Sequence, residues 1–123
     1  MARSINVSKE TKKVINFTTP TITLTVEGVD ISSQDVYVTL EQGKQELTKT
    51  GADLTISTQT EEGVTDTIIV FMLSQEESAL FRVNAPVSIQ VNWISASGIR
   101  AATEIRTIPV MRNLLDEVVE YGN

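Results

Sequence analysis

The sequence contains no cysteine and no histidine. Without cysteine there is no disulfide, no thiolate nucleophile and no Cys-bound zinc. Without histidine the usual general base near neutral pH, the usual metal ligand and the Ser-His-Asp arrangement are all missing. Tryptophan occurs once and tyrosine twice, so the exposed aromatic cluster that a sugar-gripping surface needs is not found. Positive charge is also scarce: 10 basic residues against 16 acidic ones leave a net charge of −6, and the longest basic run is Lys12-Lys13. Polyanionic partners need clustered Lys and Arg, which makes nucleic acid and anionic membrane poor partners. No apolar run approaches the roughly 20 residues that span a bilayer. The opening MARSINVSKE has no apolar segment of the secretory kind, so synthesis and retention in a cytoplasm are expected.

What remains is enough for one domain with its own core: 123 residues, 41% of them hydrophobic and rich in Thr, Val and Ile. The centre of that core is predicted over residues 65–94. Residues 67–73 form an apolar run of strand length, as in a strand covered on both faces. Ser74 and Glu77 follow with capping-box spacing, which predicts a short helix through about Phe81. Asn84 and Pro86 break the chain. Val87, Ile89, Val91 and Trp93 then alternate with Ser88, Gln90, Asn92 and Ile94, the period of a strand with one buried face.

Around this centre the pattern is of short strands and frequent turns. Residues 1–19 read as an N-terminal arm. Val14, Ile15 and Phe17 make it too apolar for a purely solvated tail, and it is either a frayed terminus or a segment lying along a neighbouring subunit. From Pro20 a strand puts Ile22, Leu24 and Val26 inward. The next carries Val36, Val38 and Leu40 inward, with Tyr37, Thr39 and Glu41 outward. Gly43-Lys44 is a hairpin turn, and residues 45–50 return. A strand holding Leu54 and Ile56 leads into the central run. After the Ser95–Gly98 loop, residues 100–107 pair back, with Arg100, Glu104 and Arg106 expected on one face. Leu114, Leu115, Val118 and Val119 fall in one stripe at helical spacing. The expected architecture is therefore an arm over 1–19, an antiparallel β-sandwich of immunoglobulin type over 20–110, and an amphipathic helix over 111–123. A small open barrel is the alternative.

Little in this chain points to chemistry. Sixteen acidic residues make chance carboxylate pairs common, so no glycosidase-like pair stands out. Asp30, Asp35, Asp53 and Asp66 border loops that offer oxygens to calcium, but no calcium-loop motif joins them. No catalytic residue, cofactor or metal is assigned. Trp93 shares its face with core residues and is read as core. The candidate contact residues are instead Val14, Ile15 and Phe17 of the arm, Tyr37, Gln90, Asn92, Arg100, Glu104 and Arg106 on the outer sheet face, and Leu114, Leu115, Val118 and Val119 of the terminal stripe. Arginine on such a face suits bidentate contacts between subunits.

A set of blocks in order along the chain carries a resemblance. They are Thr21-Ile22-Thr23-Leu24, Glu27-Gly28-Val29-Asp30-Ile31, residues 35–43 (DVYVTLEQG), residues 47–51 (LTKTG), residues 73–77 (LSQEE), residues 87–93 (VSIQVNW) and residues 100–104 (RAATE). In these the chain resembles small structural proteins of phages and prophages of Gram-positive bacteria, nearest the N-terminal domain of baseplate upper proteins. The resemblance implies a non-enzymatic virion component of a tail, baseplate, connector or capsid surface. Such a protein is made in the host cytoplasm and contacts copies of itself or other virion proteins. A carbohydrate- or host-surface-binding sandwich is the second expectation.

Overall fold

A computed structural model describes residues 7–9 and 12–120. Its strands are β1 (Val7–Lys9), β2 (Val14–Ile15), β3 (Thr21–Val26), β4 (Asp35–Gln42), β5 (Gln45–Thr50), β6 (Thr55–Glu61), β7 (Val64–Met72), β8 (Val87–Ile94), β9 (Arg100–Ala102), β10 (Arg106–Ile108) and β11 (Val110–Met111). The one α-helix among the described residues is α1 (Gln75–Ala79), a single 3-10 turn spans Gly51–Asp53, and no described helix is long and apolar enough to cross a membrane. The first sheet runs β1-β3-β7-β6. The second runs β10-β8-β4-β5, with β9 sharing the outer edge of β8 with β10. Both sheets are antiparallel, and a small parallel pair, β2 with β11, stands beside them.

The two sheets pack as a sandwich because alternate residues of each are apolar. Ile22, Leu24, Val26, Ile69 and Phe71 from the first meet Val36, Val38, Leu40, Val87, Ile89, Val91 and Trp93 from the second in one buried cluster. Trp93 is 5% exposed, a core residue as its face predicts. α1 begins where the sequence places it. Ser74 Oγ accepts from Glu77 N at 3.1 Å, and Glu77 Oε1 accepts from Ser74 N at 2.9 Å.

Both ends depart from expectation. The N-terminal segment is intrinsic to the fold where it is described: β1 extends the first sheet beside β3, and Val14 is 1% exposed within the core. Val14 N and Asn16 N donate to Pro109 O and Met111 O, each at 2.9 Å. Asn16 Nδ2 donates to Ser78 O and Phe81 O at 3.1 and 2.9 Å, supplying carbonyls left over at the end of α1. Phe17 follows with φ 63°, a left-handed backbone uncommon outside glycine. Val14 is thus no contact residue for a neighbour, while Ile15 remains exposed and Phe17 half-buried.

No C-terminal helix forms among the described residues. Residues 110–111 are strand, residues 112–120 are irregular, and residues 121–123 lie outside the described residues. A short helix needs a surface to pack on, and Leu114, Leu115, Val118 and Val119 are 86, 54, 42 and 46% exposed. Competing bonds fix other conformations. Asn113 Oδ1 takes Leu115 N at 3.0 Å. The Gln75 amide both donates to Val119 O and accepts from Val119 N, at 2.8 Å each.

Candidate functional site

The outward residues of β4, β5, β8 and β9 form the feature that most resembles a site. Register places Tyr37 beside Asn92 and Thr50, Thr39 beside Gln90 and Thr48, and Glu41 beside Ser88 and Glu46. Two hollows lie on this face. One, of about 360 Å³, is lined by Tyr37, Thr39, Thr48, Asn92, Trp93, Ile94 and Arg100. The other, of about 280 Å³, adds Glu41, Glu46, Ser88, Gln90 and Ile105. They share Thr39, Asn92 and Arg100, so together they make one shallow trough across the sheet.

Local bonds hold the trough in shape. The Arg100 guanidinium donates to Asn92 Oδ1 from Nε and Nη2, at 3.3 and 3.2 Å. The Thr39 and Thr48 hydroxyls are 3.1 Å apart across β4 and β5. Gln90 Nε2 donates to Thr103 O at 2.9 Å. Tyr37 is 38% exposed and is the exposed aromatic ring on the wall, while Trp93, which also lines the hollow, is 5% exposed.

Of the predicted face residues, Tyr37, Gln90, Asn92 and Arg100 come together here. Glu104 and Arg106 do not, and a β-bulge is the reason. Thr103 faces Val91, exchanging N–H for O at 2.9 Å and taking Val91 N on its own Oγ1 at 3.1 Å. Arg106 next faces Ile89. Three steps from 103 to 106 therefore oppose two steps from 91 to 89, and the extra residue reverses the alternation. Ile105 moves onto the trough, 61% exposed. Arg106 shifts to the face that Ile89 shares and pairs with Glu104, Nη2 to Oε1 at 2.7 Å.

Sequence reasoning named Glu41 and Thr39 as outward but did not place them at a site, and it missed Glu46. The two-residue turn at Gly43-Lys44 carried that signal, because it sets residue 41 opposite residue 46. The loop aspartates are engaged locally. Asp30 Oδ1 accepts from Ser32 N and Ser32 Oγ, which lowers its pKa. Asp66 Oδ1 accepts from Gly28 N at 2.8 Å. Among the described residues no three acidic groups gather as a metal site would require.

Away from the trough, Glu77 meets Lys49 with both carboxylate oxygens at 2.8 Å. Burial pushes the Glu77 pKa up. The hydrogen bonds from Lys49 and Ser74 and the Lys49 charge outweigh it, and the net shift is downward. This pair ties α1 to β5 and takes no part in the trough.

No family model matches this chain, and no curated protein does. Among solved structures the chain is similar to AggA, the major subunit of aggregative adherence fimbriae type I from Escherichia coli. That likeness covers 92% of this chain and 99% of that one, at 11% identity and a TM-score of 0.45. At that score it carries no argument about what this chain does. The expectation of a phage structural or assembly protein is not upheld and is set aside: no family model or curated protein matches to support it, and the likeness reported is to a fimbrial subunit, not to a component of a phage particle.

Proposed function

We propose that this chain is a non-catalytic module that associates with copies of itself through the outer face of its second sheet. The observation that carries the reading is the trough. It is preformed, crosses four strands, and joins one exposed aromatic ring and a row of hydroxyl and amide groups to charges of both signs. Polar, charge-mixed surfaces with Tyr and Arg suit protein contacts. The chain has no imidazole or thiol to activate the hydroxyls that line the trough. The finer fold reading belongs here too. The order β1-β3-β7-β6 against β10-β8-β4-β5 corresponds to A-B-E-D against G-F-C-C′ of an immunoglobulin-type sandwich.

The test is mass by light scattering over a concentration series, for the native chain and for Thr39→Arg. Thr39 lies at the middle of the trough, so a long cation there blocks close approach. The expected result is a mass that rises with concentration in the native chain and stays at 13.5 kDa in the variant, with unchanged circular dichroism. A native chain that remains at 13.5 kDa throughout contradicts the reading.

A further inference from the structure

The charges of the trough are arranged in a way that specifies how two copies meet. Glu41 and Glu46 are direct cross-strand partners, and both line the trough. Like charges placed directly opposite one another repel. Among the described residues neither carboxylate makes an ion pair, and neither does Arg100, whereas Lys49 with Glu77 and Arg106 with Glu104 do. Arg100 is nevertheless not free to wander, because Asn92 Oδ1 holds its guanidinium by two donors over the face.

Cation and carboxylates occupy opposite corners. Arg100 is level with Ile94 on the β9 side, and Glu41 and Glu46 are level with Ser88 on the β4 and β5 side. Standard strand spacing and rise put Arg100 and Glu46 about 14 Å apart across the strands and about 20 Å apart along them. A two-fold axis lying between two stacked faces, along the other diagonal, exchanges these corners.

We propose that the module forms an isologous face-to-face dimer in which Arg100 of each copy lies over Glu41 and Glu46 of the other. This rests on the reading that the face associates with copies of the chain. The same contact is then made twice, as a two-fold interface requires. It relieves the repulsion within the glutamate pair, and it gives Arg100 the carboxylate partner that its own chain does not supply. A four-strand face of these dimensions lies at the low end for a specific interface, so the dimer is weak and concentration-dependent.

Charge exchange between two variants tests the geometry. Arg100→Glu and the double variant Glu41→Lys with Glu46→Lys each place like charges at both contacts of a homodimer. Mixed together they place opposite charges at both. Each variant alone is expected to lose at least tenfold in dimer affinity, and the equimolar mixture is expected to recover to near the native value. Circular dichroism and Trp93 fluorescence confirm that each variant is folded. Two weakened variants whose mixture fails to recover overturn this pairing, while a Thr39→Arg block in the same assay leaves the face reading intact. Variants that dimerise as the native chain does also overturn the pairing. If Thr39→Arg dimerises as well, the face reading falls with it.

Discussion

Replacing Gln42 by alanine removes three hydrogen bonds from one buried side chain. Gln42 ends β4 and is 6% exposed. Its Nε2 donates to Arg82 O and Ala85 O, each at 2.9 Å, and its Oε1 accepts from Arg82 N at 2.6 Å. These bonds pin residues 82–85, the loop between α1 and β8, which begins beside the fully buried Phe81. A hydrogen bond of this kind contributes about 1 kcal/mol net, and an unsatisfied buried group costs about as much or more. The expected loss is therefore about 3 kcal/mol. Urea unfolding followed by the fluorescence of the single tryptophan measures it. With a slope of about 1.5 kcal/mol/M, typical of a domain this size, the midpoint falls by about 2 M. A loss under about 1 kcal/mol would refute the reasoning, since the loop would then hold its place without the clip.

Other expectations follow from the same structure. Trp93→Ala should cost about 3–5 kcal/mol, because the side chain fills the core at one end of β8. Urea unfolding followed by circular dichroism measures it, since the variant has no tryptophan to report; a change under about 1 kcal/mol would place the indole outside the core. Removing residues 1–19 deletes β1, β2 and the Asn16 bonds, so calorimetry should show a lost or much lowered cooperative transition. A truncated chain that melts like the native one would mean that the segment is a detachable arm. Lys49→Ala should cost about 1 kcal/mol or less at pH 7, as befits a pair with side chains 13 and 25% exposed. Glu77 binds its proton less tightly when folded, so the stabilisation is present above the ordinary glutamate value of 4.5 and is lost as pH falls through the lowered one. Native and variant stability curves should converge in acid, and a constant gap would assign the effect to packing.

The parts of the fold legible in the sequence are those fixed by short-range pattern. The alternation of β8 and the Ser74–Glu77 box each specify their own geometry and stand as expected. The apolar run does form a strand, β7, but not one covered on both faces: Thr67, Ile69 and Phe71 are buried, Ile68 and Val70 are half-buried and Met72 is exposed. The parts that were not legible depend on partners distant in the chain. Val14 is core only because β11 lies beside it. The stripe from Leu114 to Val119 has helical spacing, but the amide that engages Val119 comes from Gln75. The trough was half legible. Tyr37, Gln90, Asn92 and Arg100 follow from alternation alone. Alternation fails at Glu104 because Thr103 lends its hydroxyl to the ladder and inserts a residue, which no count of twos reveals. That one bulge sends Arg106 away from the face and brings Ile105 onto it.

The central claim is that the outer face of the second sheet meets another copy of the chain. Backbone amide chemical shifts, recorded on isotope-labelled protein across a concentration series, test it most directly. The account predicts concentration-dependent shifts at Tyr37, Thr39, Thr48, Asn92 and Arg100, with little change along β3, β6 and β7. Shifts centred on the first sheet, or none at any concentration, would contradict it.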